Sequence, residues 1–237
     1  MNPLVTVNMP NVLVVGATRG LGAEIAQHYA RNEFSVTGTA RSPDKPKGLH
    51  HDINWITDID IATPDAGRRI VSGLKGHKQD IVVVTAGFFP KETFEELDWE
   101  AELKTYTICA VGPTFVVQAL ARAGLLRKRE GQGSTGAKVV LVSSEAGSIA
   151  LRHESEGGAM YAHHGSKAAL NMVGKLLSFN LKEEDVAVAM VHPGFMRTEM
   201  TKGVGFDKVS CLVLRLRTLS FWASANLRGS SGMMEGP

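Results

Sequence analysis

Apolar residues fall along this chain in short unbroken runs separated by longer amphipathic stretches. Val12 to Val15 is the first run; Asp80-Ile-Val-Val-Val-Thr-Ala-Gly87, Ala137-Lys-Val-Val-Leu-Val-Ser-Ser144 and Val186-Ala-Val-Ala-Met-Val191 repeat the type. Continuous apolar runs of this length are the pattern of strands buried on both faces of a parallel sheet. Ser35 to Arg41 reads as a further strand, and Ile53 to Asp58 as a weak one. Between the strands the period turns helical. Leu21, Ile25, Ala26 and Tyr29 share one face. Pro64 to Leu74 is opened by Thr63-Pro64, an N-cap followed by a first-turn proline. Trp99 to Leu126 is long and broken at Gly112-Pro113, and Ser166 to Leu181 is a second long helix. Strands alternating with helices predict an α/β protein with a doubly wound, mostly parallel sheet and helices on both faces.

The first strand ends in Gly16-Ala-Thr-Arg-Gly-Leu-Gly22 and runs into a helix. Strand, glycine turn and helix in succession aim free backbone N–H groups and the positive end of a helix dipole at one spot. A pyrophosphate fits there, because glycines leave the backbone open to close approach. The spacing is G-x-x-x-G-x-G, not the G-x-G-x-x-G of the general dinucleotide fingerprint, and a tight turn of some other α/β domain is the alternative.

Composition narrows the field only a little. At 237 residues, with 43% hydrophobic and 21% charged residues, the chain suits one globular domain, 1–237, with its tail from 207 onward least defined. A net charge of +2 makes no case for nucleic acid, and Arg127-Lys-Arg129 reads as a solvated helix end before the Gly-rich loop 131–136. Two cysteines, Cys109 and Cys211, form no disulfide framework. The start has no basic n-region or long apolar core, and nothing approaches the length of a membrane span, so no membrane association and a cytoplasmic setting are expected. No metal site is expected.

These motifs and their order resemble the short-chain dehydrogenase/reductase family, a Rossmann fold. The glycine turn resembles that family's opening T-G-x-x-x-G-x-G, with Val15 where its Thr commonly sits. Asp60-Ile61 resembles the pair that contacts the adenine ring. Ala86-Gly87 resembles the end of the family's Asn-Asn-Ala-Gly, where the cofactor ribose lies against the backbone; the asparagine that ties neighbouring strands is missing. Ser144, in Ser-Ser-x-x-Gly at a strand end, resembles the substrate-orienting serine. Pro193-Gly194 with Thr198 resembles the turn that holds the nicotinamide carboxamide. Ser166-Lys-Ala-Ala places Lys167 as the family lysine, which holds the nicotinamide ribose. The loop from Gly147 to Gly158 and the helix after it look most like the carbonyl-reductase subgroup related to bacterial C-factor and insect sniffer.

The resemblance implies a dinucleotide cofactor bound by Gly16, Thr18, Arg19, Gly20, Leu21, Gly22, Arg41, Asp60, Ile61, Ala86, Gly87, Lys167, Pro193, Gly194 and Thr198. In a Rossmann site an acidic residue after the second strand selects NAD, and an arginine accommodates the 2′-phosphate of NADP. Arg41 stands there, no carboxylate follows before Asp44, and Arg19 lies in the glycine turn. NADP is therefore expected, with Arg41 as a plain surface cation the alternative. The implied substrate is a small-molecule carbonyl. The implied partner is a second copy, paired through helices at about 99–126 and 163–181.

Two positions break the pattern. The family asparagine three residues before Gly112 is here Cys109, whose bland reading is a small buried residue. The family tyrosine four residues before the lysine is here His163, while Tyr161 precedes Lys167 by six. Three readings follow. His163 is the proton donor; or Tyr161 reaches the site through an irregular first helical turn; or the redox chemistry is lost and a binding protein or non-redox catalyst remains. The tail, with an amphipathic 208–222 and a last short strand at 231–234, carries no recognisable chemistry.

Overall fold

The computed structural model describes residues 9–129, 131, 135–198 and 203–205. They belong to two compact units, one ending at Pro193 and one beginning at Gly194. The first holds six parallel strands: β1 (Asn11–Val15), β2 (Ser35–Thr39), β3 (Asn54–Ile56), β4 (Ile81–Val84), β5 (Lys138–Val142) and β6 (Ala187–Val191). Their order across the sheet is β3-β2-β1-β4-β5-β6. The chain thus winds outward from β1 to one edge, returns to β4 and winds to the other, leaving a switch point between β1 and β4.

Alternation along each strand divides the core. Leu13 and Val15 of β1, Val82 and Val84 of β4, and Val139 and Leu141 of β5 join one cluster. From the helices it takes Ile70 of α2 (Ala66–Gly73), Val116 and Leu120 of α4 (Gly112–Arg122), and Leu170 and Leu177 of α5 (Tyr161–Asn180). Val12 and Val14, also fully buried, point the opposite way. On that side α1 (Gly20–Arg31) packs with Gly22, Ala23, Ile25, Ala26 and Ala30. Its buried face is rotated from the expected one: small residues lead, and Leu21 and Tyr29 are only half-buried.

Several boundaries move for physical reasons. The helix expected from Pro64 begins at Ala66, and Thr63 is not its cap; the Thr63 hydroxyl donates to Asp60 O at 2.8 Å. The long helix at 99 is three pieces: α3 (Trp99–Tyr106), a π-helical turn (Thr107–Val111) and α4. Pro113 has no N–H to give the Cys109 carbonyl, so the ladder widens there, and Gly112 N reaches back to Thr107 O. The final long helix starts at Tyr161, not Ser166. Arg127 to Arg129 are no helix end. They follow a bridge between Gln79 and Leu126, and pair with Asp80, Glu184 and Asp185 respectively.

In the second unit the described residues include Gly194, at φ +83°, and Thr198, whose carbonyl accepts from Gly203 N at 2.9 Å. The expected helix at 208–222 and strand at 231–234 lie outside the described residues. Among the described residues no helix is long and apolar enough to cross a membrane.

Candidate active site

The glycine turn sits at the switch point, and the fold holds it from two sides. Gly16 N donates to the Thr39 hydroxyl at 3.0 Å, and Ala17 N to Thr39 O at 3.2 Å. From β4, the Thr85 hydroxyl donates to Val15 O and Gly16 O, each at 3.0 Å. Thr85 occupies the position where the family tie was expected to be lost. The tie between β1 and β4 is kept, by a hydroxyl in place of an amide.

Gly16, at φ +89°, presses its bare Cα on Ala86: a side chain there would stand 2.8 Å from Ala86 N. Gly20 adopts φ +55° at the first residue of α1. Gly22 faces the Gly16 carbonyl and, at 2.5 Å from where a Cβ would be, the Thr85 hydroxyl. Its role is to bring helix against strand, whereas Gly16 and Gly20 shape the turn. α1 has no side-chain cap at Arg19 and no acidic residue in its first turn, so its leading N–H groups suit an anion. Thr18 and Arg19 are exposed beside the turn, and Leu21 is half-buried.

Arg41 is exposed just past the end of β2. Ile61 is buried, and Gly112 packs its Cα directly on the Ile61 carbonyl. Asp60 spends one oxygen on a local turn, accepting from Ala62 N at 3.0 Å. Ala86 is half-buried and Gly87 exposed at the end of β4. Pro193 ends the first unit, and Gly194 and Thr198 belong to the second.

Beyond β5 the catalytic candidates assemble on α5. Lys167 is buried at 8% exposure, and its ammonium donates to Val142 O at 2.8 Å. Burial pushes its pKa down, and Cys109 nearby works against that shift. The Cys109 thiol, fully buried in the π-helical turn, lies 3.7 Å from Phe88 O. Ser143 donates to Asn171 Oδ1 at 2.6 Å, fixing the end of β5 to α5. Ser144 accepts from Ala146 N at 3.1 Å, which leaves its own O–H to donate. The short 3-10 turn that follows, Glu145–Gly147, lies on the α5 backbone.

His163 is one helical turn before Lys167. Burial, then the Lys167 and His164 charges, lower its pKa to about 4, so the ring is neutral at physiological pH. Its Nδ1 is buried with no hydrogen-bond partner, and its ring meets Phe89 edge-on at 4.6 Å. An unpartnered acceptor is the cheaper orphan, which assigns the proton to Nε2. Tyr161 is elsewhere. The first turn of α5 is regular, Tyr161 is 41% exposed, and its hydroxyl lies 3.1 Å from where a Cβ on Gly158 would be.

The sequence matches the short chain dehydrogenase family over residues 10–208. It is 30% identical over 197 residues to a Rhodococcus sp. (strain AD45) 1-hydroxy-2-glutathionyl-2-methyl-3-butene dehydrogenase, covering 82% of this chain and 81% of that one. Among solved structures, a short-chain dehydrogenase/reductase from Burkholderia multivorans with bound NADP superposes with TM-score 0.78 at 27% identity, covering 91% and 92% of the two chains. The carbonyl reductase Sniffer of D. melanogaster does so with TM-score 0.78 at 25% identity, covering 90% and 92%. The chain belongs to the short-chain dehydrogenase/reductase family.

Proposed function

We propose that the chain is an NADPH-dependent reductase of a small-molecule ketone or aldehyde. The observation that carries the reading is the pairing on α5 of buried Lys167 with neutral His163 one turn before it. The bare backbone at Gly16 and Ala86 and the uncapped start of α1 fit a dinucleotide pyrophosphate, and Arg41 after β2 and Arg19 in the glycine turn are the cations that would meet a 2′-phosphate. Bound there, NADPH would supply a hydride to the carbonyl carbon. Ser144 orients the carbonyl oxygen by donating its free O–H. As charge develops on that oxygen, His163 Nε2 donates its proton, and the product is an alcohol. Lys167⁺ adds positive potential beside the developing charge and keeps His163 from holding a second proton. Tyr161, exposed and turned to Gly158, is not given that role.

NADP-bound relatives and the carbonyl reductase Sniffer support the cofactor and the substrate class. The apolar outer faces of α3, α4 and α5 support a homodimer. The test is loss of reduced-nicotinamide absorbance when NADPH is mixed with a panel of ketones and aldehydes. A chain that binds NADPH and consumes none is a non-redox member that keeps the dinucleotide site. Cys109, in the place of the family asparagine, favours that second reading.

A further inference from the structure

Two charged side chains are buried among the described residues, Lys167 and Glu92, and both act on α5. Glu92 lies between β4 and α3 at 6% exposure. Its Oε1 accepts from Ala162 N at 2.7 Å, and its main-chain carbonyl accepts from Met160 N at 3.2 Å. These bonds do what no local residue does. Met160, the residue before α5, offers no side-chain cap, and the chain enters the helix through Ala159 at φ +109° and Met160 at φ +52°. Non-glycine residues adopt such angles only where the surroundings hold them.

Glu92 Oε2 is buried and receives no N–H or O–H from the protein. The half-buried carboxyl of Glu102 on α3 is a hydrogen-bonding and charge neighbour of Glu92, and the Tyr106 phenol interacts with the charge of both. Tyr106 in turn rests on Gly165, in the first turn of α5. On the α5 side stand the Ala162 N–H and, further along, His163 and His164. Among the described residues no lysine or arginine pairs with either carboxyl. Two carboxylates in contact cannot both ionise cheaply, whereas one proton held between them gives the orphan oxygen a donor and turns repulsion into a short hydrogen bond.

We propose that Glu92 and Glu102 share one proton, and that this carboxyl pair positions the first turn of α5 and with it His163. Glu92 is thereby a positioning residue that acts through Ala162. Its catalytic meaning rests on the reductase reading; the pairing itself does not. Burial first, then the hydrogen bond and charge of Glu92, raise the Glu102 pKa from its ordinary value against the lowering pull of the Ala162 N–H. The fold therefore binds this proton more tightly than the unfolded chain does. The pair's support of the turn is complete below the ordinary carboxylate range and is lost as pH rises through the raised value.

The test is amide hydrogen exchange over residues 160–166 between acid and mildly alkaline pH, corrected for intrinsic rates. Wild type is compared with Glu92→Ala, Glu92→Gln and Glu102→Gln, with global stability measured alongside. Protection in the wild type falls by about tenfold as pH rises. Glu102→Gln, whose amide always donates, holds its protection across the range. Glu92→Ala loses it throughout, and Glu92→Gln restores it, since that side chain accepts from Ala162 N and donates to Glu102. Identical pH profiles for wild type and Glu102→Gln overturn the shared proton, and this comparison decides even if Glu92→Ala does not fold. Wild-type protection in a folded Glu92→Ala overturns the positioning role. A protein that reduces no carbonyl removes the reductase reading and leaves the exchange result standing. If carbonyls are reduced, Glu92→Ala lowers kcat more than it raises KM for NADPH, and Glu92→Gln recovers kcat.

Discussion

Gly147 lies with its Cα against the backbone of Lys167: a Cβ there would stand 2.6 Å from the Lys167 carbonyl carbon and 2.8 Å from Ala168 N. The glycine of Ser-Ser-x-x-Gly is therefore a spacer that sets how closely the strand-end serine approaches the helix bearing Lys167. The obstructing atoms are main chain and cannot swing away. Gly147→Ala should cost about 1–3 kcal/mol of stability, the usual penalty for overpacking. Urea denaturation checks it, and an unchanged midpoint would mean that the turn and helix separate freely.

Arg41→Ala should weaken NADPH binding by about 1.5–3 kcal/mol and leave NADH nearly unchanged, because an arginine–phosphate contact is charge-assisted and bidentate. Arg41 is exposed at the end of β2, so little other than the phosphate contact depends on it. Fluorescence titration with each cofactor measures the difference. Equal affinity of the wild type for both would remove the basis for the expectation.

Met172, Leu176 and Phe179 follow one another along a face of α5 and are 61%, 51% and 59% exposed. On α3 and α4, Trp99, Leu103 and Phe115 are exposed as well. Apolar stripes of this extent on adjacent helices are covered in a stable protein more often than they face water. The wild type should sediment as a dimer at micromolar concentration, and Leu176→Asp as a monomer. A monomeric wild type would sink the pairing.

What could be read from the sequence, and what could not, divides by range. β1, β4 and β5 lie between other strands, so their apolar runs are continuous and legible; β6 carries such a run at the edge of the described sheet, where only Val191 is buried. The glycine turn is legible because its constraint is local. Glu92 was not, because the N–H it caps belongs to Ala162, 70 residues on, and a loop glutamate gives no sign of that. For the same reason α5 starts five residues earlier than its own sequence suggests: the cap that licenses Tyr161 to Gly165 comes from another part of the chain. Thr85 was passed over for a similar cause. The family tie was sought as an asparagine, whereas the geometry needs only a donor facing the Val15 and Gly16 carbonyls. The π-helical turn was half legible, since Pro113 announces a break but not that the helix widens and continues.

His163 should make the protein acid-sensitive. Its folded pKa, about 4, is below the ordinary histidine value of 6.5. The unfolded chain therefore takes up a proton first as pH falls, and stability is lost between those two values. The loss is at most about 3 kcal/mol, less where water reaches the ring. Denaturation midpoints across that window measure it. His163→Phe should flatten this part of the profile. A wild-type curve as flat as the variant's would mean that the ring is charged or solvated in the fold.

The deciding experiment replaces His163 itself. If Nε2 is the proton donor, His163→Ala should lower turnover by about 10²- to 10⁴-fold, the range for a lost general acid, while Tyr161→Phe changes little. The exposed Tyr161 hydroxyl beside Gly158 is the reason for the second expectation. His163→Tyr restores the family's tyrosine one turn before Lys167, but a phenol is longer than an imidazole and meets Phe89, whose ring is 4.6 Å from that of His163. The substrate carbonyl would have to retreat by the difference in reach. A site rebuilt around histidine should therefore be faster as wild type than as His163→Tyr. An inert wild type that binds NADPH, beside a His163→Tyr variant that reduces simple carbonyls, would instead establish that the histidine disabled a reductase. Intermediate pocket depth is tested by Phe89→Ala in the His163→Tyr background: if crowding limits the phenol, removing the ring raises turnover of the double variant above that of His163→Tyr alone.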